Sequence, residues 1–464
     1  MPKADLSTPT PTAGGAVRLK LRVPAKLRNL ELALLLIAFI INGSAIVLVQ
    51  LGALGAIDTD LITLGAIVAG LAIAMHLVLR FTAPQADPFI LPIVTALNGI
   101  GIAEIYRIDI YHHRSGWASA AIPQIAWTAL AMVIAMGVLL VIRNHRLLQR
   151  YQYIAMFAGL VLLLLPMLPG IGQTINGARL WIHIGGFSFQ PGELAKIALA
   201  IFFAGYLVTS RDSLAVVGKK VLGLRFPRAR DLGPILVIWV AAMAVLIFQR
   251  DLGTSLLYFG LFLVMIYVAT GRLSWVVLGL GLFAAGALIA SRTLSYVTGR
   301  FDAWLDSFDP AVYGAQGGSY QLVQGLFGIA NGGLIGTGLG EGRPGIVPLA
   351  ESDYIIASLG EELGLAGLFA ILALYLLFVS RGFRIGFEGT DDFGRLLSVG
   401  LSFVVALQVF IVIGGVTRVI PLTGLTTPFL AAGGSSLTAN WIIAALLLRL
   451  SDTIRNQPRA GVDG

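Results

Sequence analysis

The sequence predicts an all-α polytopic membrane protein of about twelve transmembrane helices with one large extracytoplasmic loop. Three observations carry this prediction. Apolar residues make up 57% of the 464 and charged residues only 12%, with a mean hydropathy of +0.87, a balance that no water-solvated globule sustains. Apolar stretches of roughly 20 residues, the length that crosses a bilayer core as a helix, recur along the whole chain, and no window has the alternation of a transmembrane barrel. Lys and Arg gather in every second loop: with the N-terminus inside, 23 of the 32 lie on the cytoplasmic side. A multi-pass protein of the cytoplasmic membrane with both termini in the cytoplasm is therefore expected.

The first 28 residues are rich in Pro and Thr and then basic, and are expected to form a disordered cytoplasmic tail. The stretch 30–51 behind them is too long for a signal-peptide core and lacks a small-x-small exit, so it is expected to stay as an anchor. Twelve spans are predicted at 30–51, 61–80, 88–106, 121–142, 151–168, 191–209, 233–249, 252–270, 274–291, 355–380, 396–417 and 429–448. Residues 29–87 thus hold two N-terminal helices, 88–450 the main body and 451–464 a second cytoplasmic tail. Two outer loops, 169–190 and 292–354, are far longer than a turn between helices requires. The second contains Phe301, Trp304, Phe308, Tyr313, Tyr320 and Phe327, too many aromatics for disorder, and is expected to pack on the bundle as short helices.

The net charge of +8 is mostly topology and leaves no role for nucleic acid. The absence of cysteine excludes disulfides, thiolate metal sites and cysteine nucleophiles. Five scattered histidines do not make a metal cluster; His112 and His113, being adjacent, do not face one way on a helix. No metal site and no cofactor is identifiable, and need for a divalent cation cannot be read, because no carboxylate cluster has metal-ligand spacing.

A charge near hydrocarbon needs a partner or water, so the polar residues at membrane edges carry most of the information. Asn176-Gly177-Ala178-Arg179-Leu180-Trp181 precedes Gln190-Pro191-Gly192-Glu193-Leu194-Ala195-Lys196. Glu193 and Lys196 share a helix face, as an ion pair or, with Arg179, as part of an anion site on the outer side. Gln249-Arg250-Asp251-Leu252-Gly253-Thr254 forms a tight outer hairpin in which Asp251 can cap the next helix and pair with Arg250. The glycine-rich run 332–342 has neither the preceding strand nor the GK[ST] ending of a nucleotide loop, and reads as an outward-facing re-entrant segment. Asp353 stands at a helix entrance, as its cap or as a free carboxylate, and Glu361 and Glu362 fall two turns inside that span, where Arg179, Lys196 and Arg343 are candidate partners. The run 418–436, punctuated by Pro421 and Pro428 and ending in Gly433-Gly434-Ser435-Ser436, is expected to lead into a broken last span, with small residues that permit close helix packing.

In order along the chain, NGARLW, QPGELAK, QRDLGT, YQLVQGLFGIANGGLIGTGLGEG, PLAESDYIIASLGEELGLAG and PLTGLTTPFLAAGGSS resemble the signatures of the SEDS family (shape, elongation, division and sporulation proteins, the RodA and FtsW group) from about Pro88 to the end. The two extra N-terminal spans resemble actinobacterial forms. Three departures stand out: the usual Pro of QPDLGT is Arg250, the Ser of QPSE is Gly192, and Arg179 follows Ala178 directly, one residue short of the family spacing.

The resemblance implies a ten-span peptidoglycan glycosyltransferase that polymerises lipid II on the outer face of the membrane. It implies an elongation and shape role beside a class B penicillin-binding protein, the transpeptidase. Asp353 would be the catalytic base, Arg179 and Lys196 the contacts of the pyrophosphate, Glu193 or Glu362 the carboxylates holding those cations, and Arg343 a second clamp. A lipid II flippase and an FtsW-like septal polymerase of cell division are the alternatives.

Overall fold

The computed structural model describes residues 25–175, 177–184, 187–215, 217–221, 224–227 and 233–456. Most of the predicted N-terminal tail, half of the predicted C-terminal tail and part of the basic loop 211–230 lie outside them. In chain order the elements are α1 (Ala25–Leu54), α2 (Thr59–Thr82), α3 (Ile90–Tyr111), α4 (Ala121–Val141), α5 (Arg146–Arg150), α6 (Gln152–Leu164), β1 (Gly172–Ile175), β2 (Ala178–Ile184), β3 (Phe187–Phe189) and α7 (Pro191–Ala215). There follow β4 (Val217–Val221), β5 (Leu224–Pro227), α8 (Gly233–Gln249), α9 (Leu252–Thr270), α10 (Leu273–Thr293), α11 (Ser295–Leu305), α12 (Pro310–Tyr313), α13 (Tyr320–Gly332), α14 (Ile355–Glu388), α15 (Asp392–Val416) and α16 (Gly434–Arg455). Every predicted span has its helix. Ten are long and apolar enough to cross a membrane, while α6 and α8 are shorter.

Burial sorts these helices into layers. α3, α9, α15 and α16 are mostly buried inside the bundle, whereas α1, α2 and α10 leave most of their apolar surface outward, as lipid-facing helices do. The central helices also hold the buried polar residues, because only there can each find a partner. Asn98 of α3 shows the pattern: its Nδ2 donates to the Phe429 carbonyl at 3.3 Å and its Oδ1 accepts from Trp441 Nε1 at 3.4 Å.

The N-terminal pair is tied to this body by charge. Arg28, assigned from sequence to the disordered tail, is helical and fully buried. It pairs with Glu31 at 2.7 Å and donates to the Ala86 carbonyl, while His76 Nδ1 meets the other Glu31 oxygen at 2.6 Å.

Two expectations about irregular backbone need correction. The last span is not broken: 429–433 stay outside the helix, and α16 runs unbroken from Gly434 to Arg455. The break is in α14, at Gly364 (φ 66°, ψ −173°), roughly 13 Å below the helix start. The glycine-rich segment fills it. Thr337 and Gly338 N–H donate to the Glu361 and Glu362 carbonyls at 3.0 Å each, and Leu365 and Ala366 N–H donate to the Gly333 and Leu334 carbonyls at 3.0 Å each. Backbone groups opened by the break are thereby satisfied inside the protein, as the bilayer demands. A Cβ on Gly364 would lie 2.3 Å from Gly336 N, so both the dihedral and the contact require glycine here.

Both long outer loops are structured. Residues 169–190, where no strand was expected, form the antiparallel sheet β1-β2-β3. Residues 292–354 form α11, α12 and α13 over the bundle. Arg418 (φ 61°) fastens this layer: its Nε and Nη2 donate to the Trp304 and Leu305 carbonyls at 2.8 and 2.7 Å, closing the C-terminus of α11, and Trp304 Nε1 returns a bond to the Arg418 carbonyl at 3.0 Å.

Candidate active site

Asp353 lies in the turn before α14 and does not cap it. The capping position belongs to Tyr354, which makes no side-chain cap bond. The carboxylate instead faces Arg300 of α11 across Gly424: a Cβ on that glycine would sit 3.7 Å from Asp353 Oδ2 and 3.7 Å from Arg300 Nη2. Gly424 (φ 79°) supplies left-handed backbone at the point where the two charges approach from different elements. Arg300 is anchored by donating from Nη1 to the Leu422 carbonyl at 2.6 Å. Burial pushes the Asp353 carboxyl up to about 6. The Arg300 guanidinium opposes that rise, the negative charge of Asp251 adds to it, and a bond from Ser352 lowers it again.

Asp251 is the second carboxylate here. Its Oδ1 accepts the Thr254 N–H at 2.9 Å and so caps α9 as expected, but its Oδ2 is buried with no hydrogen-bond partner among the described residues. The expected ion pair with Arg250 is absent. Arg250 turns outward at φ 57° and its guanidinium stacks 5.9 Å over the Tyr296 ring. Burial raises the Asp251 carboxyl, and the Arg300 guanidinium works against that rise.

Lys196 is not at the surface. Its Nζ is buried inside the bundle with Glu193 at 2.7 Å, Gln408 Oε1 at 3.0 Å and Asn440 Oδ1 at 3.2 Å. An ammonium has three donors, and all three are used. Lys196 therefore ties α7 to α15 and α16, and direct contact with a pyrophosphate would require breaking this set. Arg179, on β2, is half-buried with one long bond, Nη2 to the Leu168 carbonyl at 3.5 Å, and its Nε has no partner.

Glu362 holds neither Arg179 nor Lys196. Its partner is Arg107 of α3: Nε meets Glu362 Oε1 at 2.9 Å and Nη2 reaches the Gly342 carbonyl at 2.6 Å, while Gly340 N–H donates to Glu362 Oε2 at 2.9 Å. This buried pair clamps the glycine-rich segment to the first half of α14, and with it the turn that carries Asp353. Arg343 contributes its backbone N–H to Glu361 Oε1 at 3.2 Å, and its side chain is exposed. Glu351, two residues before Asp353, pairs with Arg114 at 3.1 Å, so the His112-His113-Arg114 loop is a support of the site. No group of three or more His, Asp or Glu among the described residues could hold a metal ion.

The family model described as cell cycle protein, covering FtsW, RodA and SpoVE, matches residues 88–456. The chain belongs to this family. It is 46% identical over 440 residues to the protein named peptidoglycan glycosyltransferase RodA in Mycobacterium tuberculosis, covering 93% of each chain, and 45% identical to the protein of that name in Mycobacterium leprae, covering 93% of this chain and 92% of the relative. Among solved structures, a chain of a peptidoglycan synthase complex aligns with a TM-score of 0.61 at 24% identity, over 80% of this chain and 99% of that one. The rod shape determining protein RodA of Thermus thermophilus aligns with a TM-score of 0.54 at 24% identity, over 80% and 98%. These likenesses carry the fold.

Arg300 and Arg107 were not singled out from sequence. Arg300 lies in an amphipathic loop helix, where an arginine is ordinary. Arg107 lies at the end of a span, where snorkelling would suffice to explain it. The one usable signal was arithmetic: Glu104, Glu361 and Glu362 inside spans require a cation inside a span, and Arg107 is in sequence reach of Glu104.

Proposed function

We infer that the chain is the peptidoglycan glycosyltransferase its relatives are named for, polymerising lipid II at the outer face of the cytoplasmic membrane in cell elongation and shape. Asp353 carries the reading: a carboxylate raised to about 6 has both the ionised form and the basicity to take a proton near neutral pH. In the reaction the acceptor sugar's 4-hydroxyl oxygen bonds to C1 of the donor sugar as its proton passes to Asp353. The C1–oxygen bond to pyrophosphate breaks, and the polyprenyl pyrophosphate departs with that electron pair. One such displacement inverts the anomeric carbon, so no covalent enzyme intermediate is required.

Arg300 beside the base, and the half-buried Arg179 on β2, supply positive charge for pyrophosphate. Lys196, Glu193, Arg107 and Glu362 act as positioning residues, holding α7 and the first half of α14 in place. The distribution of Lys and Arg supports the outward orientation of this site, with both termini in the cytoplasm. A class B penicillin-binding protein is the partner, in keeping with a structural relative drawn from a synthase complex that couples polymerisation to crosslinking.

Purified protein with lipid II in detergent, with and without that partner, tests the assignment. Glycan chains are expected. Their absence with the partner present would return the chain to a lipid carrier, since detergent offers no bilayer to flip across.

A further inference from the structure

The family match begins at residue 88, so α1 and α2 stand outside the common body of the family. Most of α1 faces outward, yet it is fixed to that body at three heights. At the inner end, Arg28 and Glu31 join His76 and the Ala86 carbonyl. Midway, Asn42 Nδ2 donates to the Thr95 carbonyl of α3 at 2.9 Å. An apolar cavity of about 330 Å3 opens between α1, α2, α3 and α4 at this level, and the third hold lies beyond it, at the outer end of α1.

That outer hold is made with the glycine-rich segment. A Cβ on Gly52 would lie 2.6 Å from the Leu339 carbonyl oxygen, and a Cβ on Gly340 would lie 2.9 Å from both the Val49 carbonyl oxygen and the Ala53 nitrogen. The two backbones touch directly, an approach that a side chain on either residue would prevent. Glycine within a helix costs up to about 1 kcal/mol relative to alanine, so Gly52 in the last turn of α1 calls for a reason, and the contact supplies one. The Leu339 side chain adds to it by packing against the cluster that contains Ala45 and Ile46 of α1. Gly340 is also the residue whose N–H donates to Glu362 Oε2 at 2.9 Å. One residue therefore meets the outer end of α1 on one side and the Arg107–Glu362 pair on the other. Glu362 lies about two turns into α14, whose start directly follows Asp353 and Tyr354.

We propose that α1 braces the active site from the side, with Gly52 as a positioning residue: it seats Leu339 and Gly340 against Glu362, and so fixes the first half of α14 and the turn that carries Asp353. The link to turnover rests on the glycosyltransferase reading; the brace itself is a property of the fold. A displacement of about 1 Å at reacting groups can cost on the order of 100-fold in rate, so loosening the brace acts on the chemical step. Arg300 and Arg179 stand on α11 and β2, outside this chain of contacts, so affinity for the substrate is left nearly as it was.

Two measurements on the purified full-length protein test this: polymerisation kinetics on lipid II with the partner present, and the mobility of a nitroxide label at Glu341→Cys, an exposed neighbour of Gly340 in a chain with no other cysteine. Gly52→Val should lower kcat roughly 10- to 100-fold, keep KM within about 2-fold of wild type, and free the label. Gly52→Ala, which would stabilise an unhindered helix, should show the same changes to a smaller extent, and it decides the question if Gly52→Val does not fold. Gly43→Val, on the same helix where a Cβ would meet nothing within 4 Å, should leave both readouts unchanged. Wild-type kcat or an unchanged label in the Gly52 variants overturns the proposal, as does a rise in KM alone or an equal loss in Gly43→Val. If the wild-type protein forms no glycan chains, the glycosyltransferase reading falls and the label alone decides the brace.

Discussion

Replacing Asp353 by asparagine removes a proton acceptor and keeps the side chain's volume. No helix cap depends on the carboxylate, because the capping position is Tyr354, so the variant is expected to fold and bind lipid II. General-base catalysis is worth about 100- to 10,000-fold, and a loss of at least about 100-fold in polymerisation rate should follow. The structure adds a second magnitude. With its carboxyl at about 6, Asp353 is about 0.9 ionised at pH 7 and about 0.1 at pH 5, whereas an unshifted aspartate would still be more than about 0.9 ionised at pH 5. The base works deprotonated, so the wild-type rate should rise through pH 6, level off above it, and fall roughly 10-fold between pH 7 and pH 5. Arg300→Met removes the charge that holds the Asp353 carboxyl down and should move that inflection upward. The assay is glycan-chain formation from lipid II by purified protein across pH 5 to 8. Near wild-type chains from Asp353→Asn, or a wild-type rate equal at pH 5 and pH 7, would refute the assignment and make Glu351 the next carboxylate to test.

Lys196→Met leaves Glu193 buried without its cation and should lower stability by about 3–5 kcal/mol in thermal unfolding, with much of that loss recovered in the Glu193→Gln/Lys196→Met double variant. Gly364→Ala meets both a left-handed φ and a 2.3 Å contact, so a loss of at least about 2 kcal/mol is expected in the same measurement; a variant as stable as wild type would mean that the break in α14 is not required. Cysteine at the exposed positions Gln316 and Arg150 tests orientation, since the native chain has none: an impermeant thiol reagent applied to intact cells should label the first and spare the second.

The twelve helices were legible because hydrocarbon imposes a length and a composition on any segment that crosses it, and the positive-inside bias is read from the same residues. Asp353 as a candidate base was legible only through a motif, since composition and spacing left both the cap and the free carboxylate open. Tertiary structure decided the pairings. Sequence offered Glu193 as the ion-pair partner of Lys196 and left Glu362, two turns inside its span, in need of a cation; the other partners of Lys196, Gln408 and Asn440, and the cation of Glu362, Arg107, each lie more than 200 residues away. It also moved the broken span from α16 to α14. Glycine permits a break wherever it occurs, but a break persists only where another segment supplies hydrogen bonds, and the segment 332–342 docks at Gly364. Arg300 is the clearest case: as one arginine in a loop helix it is unremarkable, and only packing brings it to Asp353, both beside Gly424, 124 positions later. Local sequence sets which segments are helices and where they cross the bilayer; which charges neutralise one another depends on packing between distant segments, which no local pattern encodes.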